Sequence, residues 1–402
     1  MNNLAIDGAP PVRRTPWPRW PHFGEDEIAA ATEVLRSGRV NQWTGSQITG
    51  FEQDYAALLS IPHAIALMNG TVALELALAV HDIGPGDEVI TTSRTFIASA
   101  SAVVMRGAKP VIADVDRSSQ NLSAETIAPL ITPRTRAIIA VHLAGWPCEM
   151  GPIMALAAAH DIVVIEDCAQ SHGALLNGRH VGTFGHAAAF SFCQDKIITT
   201  AGEGGMLLIR REDLFRRAWA FKDHGKSYAA VFEREHAPGF RWLHESFGTN
   251  WRMTEIQAAI GRLQLAKLPV WGARRRHNAD LLDRGLEKVA GIEVARVPSH
   301  IIHARYKYYA FLDLARLRPG WTRDRVVNAI SAEGVACFSG SCSEIYLEQA
   351  FVRAGLGPSV PLHTAHAIGQ ASLMFEVHPT LSDADIEDVT AAVAKVMAMA
   401  SA

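Results

Sequence analysis

From residue 64 to residue 209 the chain repeats one pattern: a short, continuously apolar run followed by a stretch with helical spacing. The runs cover residues 64–68, 88–92, 110–115, 137–141, 162–165, 187–192 and 206–209. Most lack the in–out alternation of a half-exposed strand, which suits strands covered on both faces. Helical patterns at 72–80, 124–131 and 150–160 separate them. Such alternation predicts an α/β fold, a mainly parallel seven-stranded sheet flanked by helices. Ahead of it lie an irregular lead, Pro16-Trp17-Pro18-Arg19-Trp20-Pro21, and helix patterns at 25–36 and 48–59. Behind it lie a polar irregular segment, 226–247, then helices expected at 254–267 and 270–289. A strand at 306–312 and a helix at 322–333 point to a smaller α+β C-terminal domain. It closes on a helix with Ser382 as N-cap and Asp383, Asp385 and Glu387 near its positive end. The expected division is 1–268 for the N-terminal segment plus the large domain, and 269–402 for the small one.

Composition narrows the function classes. With 402 residues, 49% hydrophobic and 20% charged, the chain reads as a soluble enzyme with ample core. A formal charge of -3 gives no basic face for nucleic acid or an anionic membrane. No apolar run is long enough to span a bilayer. The start lacks the cationic segment and apolar core of a signal peptide, so the expected setting is cytoplasmic. Five cysteines without a CxxC pair argue against a disulfide framework and a zinc site. The 17 histidines form no metal-ligand spacing, and His142, His172, His224 and His378 read as structural or peripheral. His224 and His378 are kept as minor candidates for substrate contact.

Chemistry concentrates at the ends of the apolar runs. Lys196 sits between Phe190-Ser191-Phe192 and the cluster Gly202-Glu203-Gly204-Gly205. Asp167 ends the run at 162–165, at the carboxyl edge where open α/β sheets place ligands. A lysine amine and a carboxylate so placed suggest pyridoxal phosphate, whose chemistry uses a lysine Schiff base and an acidic partner for the ring nitrogen. The structural alternatives are a surface lysine and a helix N-cap. Gln170 follows a turn later and can reach the ring oxygen. Met68-Asn69-Gly70-Thr71 has the strand–turn–helix form that offers backbone N–H groups to a phosphate. Ser191 adds a hydroxyl. Phe96, after another strand, can stack on an aromatic ring, although such a phenylalanine is more often core.

Together, Asn-Gly-Thr at 69–71, Thr95-Phe96, Glu-Asp-x-x-Gln-x-His-Gly at 166–173, Ser-Phe-x-x-x-Lys at 191–196, Gly-Glu-Gly-Gly at 202–205 and Gly-x-Asn-x-Arg at 248–252 resemble the DegT/StrS-type sugar aminotransferases. The likeness runs from the helix at Glu25 to Leu381. It implies a fold-type-I pyridoxal phosphate enzyme with Lys196 as the Schiff-base lysine and Asp167 as the ring-nitrogen partner. It further implies that Gln170 contacts the ring oxygen, that Gly70, Thr71 and Ser191 bind phosphate, and that Phe96 stacks on the ring. Asn250 matches a residue that reaches the cofactor phosphate of the neighbouring subunit, so a homodimer with shared active sites is expected. The implied reaction moves an amino group from L-glutamate to a keto-sugar nucleotide, or alternatively to a cyclitol or other cyclic ketone. A lysine at 196 argues against relatives that dehydrate sugars. A regulatory relative with an added DNA-binding region is disfavoured by how soon the first helix begins. Two departures stand out: Ala201 where the pattern often has Thr or Gly, and a long segment, 226–242, carrying Lys226, Arg234 and Arg241 as candidate substrate cover.

Overall fold

The computed structural model describes residues 4–401. Its centre is a seven-stranded sheet in the order His63–Leu67, Gly205–Ile209, Ala187–Ser191, Val163–Asp167, Thr135–Val141, Glu88–Thr92, Lys109–Ala113. All neighbours pair in parallel except Gly205–Ile209, which runs against both of its own. The seven apolar runs thus are the seven strands, each within about two residues of its expected bounds.

The strands read as continuously apolar because both faces are covered. On one face Ile65, Leu67, Ile139, Val141, Ile165, Ala189 and Leu207 meet the helices Gly70–Val80 and Glu212–Lys222. On the other, Ala66, Ala188, Phe190, Met206 and Leu208 meet Gln47–Leu59 and the first half of Glu255–Leu286, while Ile138 and Val164 meet Met150–Ala159. Burying each Val, Leu or Ile of these layers contributes about 1.5–3 kcal/mol relative to exposure.

The helix Glu255–Leu286 corrects the expectation of two helices at 254–267 and 270–289. It is one element with Pro269 inside it, capped by Thr254, whose Oγ1 accepts from Gln257 N. A proline inside a helix costs about 3 kcal/mol. Leu265, Leu268, Gly272 and Arg275 are buried on both sides of it, and that packing holds the helix through the break. It links the large sheet to a four-stranded antiparallel sheet, Ile292–Val294, Tyr308–Leu312, Ser372–Phe375, Cys337–Phe338. The closing helix Asp383–Ala400 covers that sheet and has the expected Ser382 cap, with Ser382 N donating to Asp385 Oδ2 at 2.7 Å. The leading segment packs on the C-terminal core. Leu4 is buried in the C-terminal core, Ala5 and Val12 donate to Glu333, and Arg13 pairs with Asp385 at 2.6 Å.

Candidate active site

The carboxyl ends of the parallel strands open on a cavity of about 660 Å³. Gly70, Thr71, Phe96, Asp167, Gln170, Ser191 and Lys196 all line it, brought from the ends of four strands. Asn250 does not. It is exposed and bridges Asp223, next to the Trp251 carbonyl that accepts from Met68 N at 3.0 Å.

The Gly70 turn is fixed by close packing. Asn69 Oδ1 caps the helix by accepting from Val72 N at 3.0 Å. A Cβ on Gly70 would lie 2.7 Å from Ser191 Cβ, and one on Gly205 would lie 2.2 Å from the Asn69 carbonyl oxygen. Both contacts force glycine, and they press the helix N-terminus against Ser191. The first N–H groups of a helix have no partner within it. Here they and Ser191 form an anion-accepting floor.

Asp167 is buried, with Oδ2 accepting from Ser99 Oγ at 2.8 Å and Oδ1 from Ala169 N at 3.2 Å. Burial raises its pKa, and Ser99, Ala169 and Lys196 only partly offset this. Gln170 Oε1 accepts from Ala144 N at 2.7 Å, which fixes the side chain beside the cavity. Phe96 is not core: it is 68% exposed, at the cavity mouth.

Lys196 is held from both sides of its backbone, its N–H donating to Cys193 and its carbonyl accepting from Trp20 Nε1 at 2.9 Å. Its Nζ lies 3.9 Å from Asp195 Oδ1 and 4.9 Å from the centroid of the Tyr306 ring. Asp195 also accepts from the Tyr306 hydroxyl. Burial would raise the Asp195 pKa, but Lys196 and Tyr306 outweigh it and the carboxyl is lowered. Behind Ser191, His172 bridges Tyr55 Oη and the Ser191 carbonyl, both at 2.8 Å. Burial takes its pKa down to about 4, so it is a neutral support.

Sequence reasoning missed Ser99, Asp195, Tyr306 and Trp20 as parts of this site. Asp195 adjoins the lysine and was open to notice; the others come from a helix, the bend before the strand Tyr308–Leu312 and the N-terminal lead, which no local motif connects. Of the minor candidates, His378 is buried under Trp20 and bonded to Thr380, and neither it nor His224 lines the cavity. Lys226 pairs with Asp223 at 3.2 Å and Arg234 with Glu245; neither they nor Arg241 reach the cavity. Ala201 has φ 64, a left-handed conformation that glycine adopts at less cost. His142, Glu166 and Cys168 could hold a metal by proximity. Both Glu166 oxygens, however, are already taken by His142 and by the N–H groups of Gly182, Phe184 and Gly185.

An amine, a buried carboxylate and an anion-accepting floor around one cavity are the parts of a group-transfer site. The sequence profile of the DegT/DnrJ/EryC1/StrS aminotransferase family matches residues 21–394. The chain belongs to that family. As an aminotransferase of this family it is 38% identical to the L-glutamine:2-deoxy-scyllo-inosose aminotransferase of Streptomyces kanamyceticus, over 83% of this chain and 78% of that one. It is 37% identical to the GDP-perosamine synthase of Caulobacter vibrioides, over 88% of this chain and 91% of that one. An aminotransferase from Psychrobacter cryohalolentis superposes with a TM-score of 0.94 at 51% identity, covering 96% of this chain and all of that one. Its fold and its class of reaction are therefore those of an aminotransferase.

Proposed function

We propose that this aminotransferase moves the amino group of L-glutamate to the ketone of a nucleotide-linked sugar. Its cofactor is pyridoxal 5'-phosphate. The observation that carries the reading is the Lys196 amine facing the same cavity as the buried Asp167 carboxylate and the Gly70 helix N-terminus.

The residues fit that cofactor. Asp167 is buried with a raised pKa, a carboxylate in need of the positive charge that a protonated ring nitrogen brings. Close packing at Gly70 sets the first N–H groups of its helix beside Ser191 on the cavity wall, where a phosphate would find donors. Gly70, Thr71 and Ser191 would hold the phosphate, Phe96 would meet the ring, Gln170 would donate to the ring oxygen and Asp167 would keep the ring nitrogen protonated. When bound, the cofactor supplies the electron sink that stabilises a carbanion next to the transferred nitrogen. Lys196 attaches the cofactor at rest; once free, its amine takes the proton from one carbon and returns it to another. Asp195 and Tyr306 hold that amine in place between the two positions. The protein should be yellow, bleach with L-glutamate and recover with the keto-sugar; a Lys196→Ala protein that retains turnover overturns the reading.

We further propose a homodimer in which Asn250 reaches the phosphate in the neighbouring subunit. Asn250 is exposed and outside its own cavity, and nearby Phe247 and Trp242 are 99% and 85% exposed, an apolar cost that a partner would remove. Mixing Lys196→Ala with Asn250→Ala protein should restore activity that neither has alone. No described helix is long and apolar enough to cross a membrane; a cytoplasmic setting is part of this proposal. A second reading, a cyclitol ketone as acceptor, draws support from the scyllo-inosose relative. A panel of keto-substrates read by product mass decides between the two.

A further inference from the structure

Beside the Lys196 cavity lies a second one of about 410 Å³, which shares Gly340 and Ser341 with it. Arg94 forms part of its wall, among the largest side chains of the protein to be fully buried. Its Nη2 donates to Ser372 Oγ at 3.1 Å, while Nε and Nη1 have no hydrogen-bond partner. Its Cζ lies 5.3 Å from the centroid of the Tyr309 ring, and Tyr309 offsets only part of the cost of its burial. Among the described residues no carboxylate lies within ion-pair distance of it. A buried guanidinium with idle donors and no counter-charge is costly unless something arrives to pair it. Burial without such a partner pulls its pKa below the ordinary arginine value.

The rest of the wall supplies a second cation and hydroxyls. Arg323 lines the cavity, its Nη1 anchored on the Gly369 carbonyl at 2.8 Å and its Nε on Asp324 at 2.6 Å. The loop 339–344 adds Ser339, Ser341 and Ser343. It is packed in place: a Cβ on Gly340, at φ +91, would lie 2.3 Å from the Tyr309 ring, and one on Gly369 would lie 2.7 Å from Ser343 Cβ. Of the acidic groups on the wall, Glu344 is occupied by Tyr346 and by His366 at 3.0 Å, and Glu348 is exposed. The buried part of the wall therefore carries the Arg94 guanidinium among serine hydroxyls.

We propose that Arg94 and Arg323 form an oxyanion subsite of the substrate pocket, holding a carboxylate or phosphate of a substrate whose reacting end lies by Lys196. The proposal rests on the aminotransferase reading for the identity of that substrate. Both partners of that reaction carry the chemistry: the amino-acid donor as carboxylate, the nucleotide sugar as diphosphate. A planar guanidinium pairs with either through two parallel hydrogen bonds.

The test uses the cofactor-loaded protein and two probes, glutarate and UDP, titrated by calorimetry. Arg94→Gln should weaken one probe by about tenfold to a hundredfold, as expected for a lost hydrogen bond between charged groups. Weakening of glutarate assigns the donor carboxylate, and weakening of UDP assigns the phosphate. Arg94→Lys should keep part of the affinity. Arg323→Gln, on a partly exposed side chain, gives the same readout should Arg94→Gln not fold. Folded variants that bind both probes as the parent does, or a parent that binds neither, overturn the subsite. Bleaching of the parent by L-glutamate tests the reaction separately. Arginine-dependent binding in a protein that never bleaches would keep the subsite and sink the reaction.

Discussion

Glu166 and Asp167 are neighbours at the end of one buried strand, yet their side chains leave on opposite faces of the sheet and do opposite things. Glu166 accepts from Gly182, Phe184 and Gly185 and contacts His142, with N···O distances of 2.7–3.0 Å. Burial alone would raise its pKa, but His142 and those backbone donors outweigh it, and the net shift is downward. Asp167 has Ser99 and Ala169, too few to offset the same burial, and shifts upward. One face satisfies its carboxylate with the protein's own donors and thereby locks the 182–185 turn. The other leaves its carboxylate under-satisfied beside a cavity, which marks a place for a ligand. Burial by itself therefore does not tell a structural acid from a functional one; the count of donors does.

The sharpest way to break this contrast is to remove each charge while keeping shape. Asp167→Asn should lower kcat by about a hundredfold to a thousandfold, as losses of a single electrostatic partner do. It should leave the melting temperature near the parent's. Glu166→Gln should do the reverse: a stability loss of about 1.5–3 kcal/mol in urea denaturation, as for hydrogen bonds to a charged group. The kcat per folded molecule should stay close to that of the parent. Equal kinetic losses in the two variants would erase the distinction.

A smaller effect, of opposite sign in the two variants, follows from linkage. Glu166 has a lowered folded pKa, so its contribution is present above the ordinary carboxylate value of about 4.3 and is lost as pH falls through the folded value. Asp167 has a raised folded pKa, so its ionisation opposes folding above its ordinary value of about 3.9. In cofactor-free protein at neutral pH, Asp167→Asn should therefore raise the melting temperature by about 1–3 °C, while Glu166→Gln lowers it. Both differences should shrink in acid, which a pH series of thermal melts reads directly.

The same contrast explains what could be read from the chain. All seven strands of the large sheet were legible because burial on both faces writes continuous apolar runs. The strands Ile292–Val294, Cys337–Phe338 and Ser372–Phe375 were not, since two to four residues are too few to display a period. Pro269 misled because proline usually ends a helix, and tertiary packing overrode it here. Around the cavity, Lys196, Asp167, Gln170, Gly70, Thr71 and Phe96 announced themselves by standing just past apolar runs, and Ser191 by standing at the end of one. Glu166 stood in the same motif and could not be told apart from Asp167, because its donors come from a turn 16 to 19 residues away. Ser99 and Tyr306 were silent: the helix Ala98–Met105 is apolar almost all round, and Tyr306 stands 110 residues after Lys196 in the chain.

Ser99 gives the finest test of the donor-count argument. Its hydroxyl donates to Asp167 Oδ2 at 2.8 Å and lies 3.0 Å from Thr95 Oγ1, all buried. Ser99→Ala removes one of the two donors and should push the Asp167 pKa further up, since that hydrogen bond favours the charged form. A hydrogen bond to a charged group is worth about 1.5–3 kcal/mol, so kcat should fall by roughly tenfold to a hundredfold. The decisive measurement is the double variant. If Ser99 acts through the Asp167 charge, Ser99→Ala should cost almost nothing further in an Asp167→Asn background. Costs that simply add would mean that Ser99 supports the loop around Phe96 rather than the carboxylate. The under-satisfied state of Asp167 would then be no tuned property of the site.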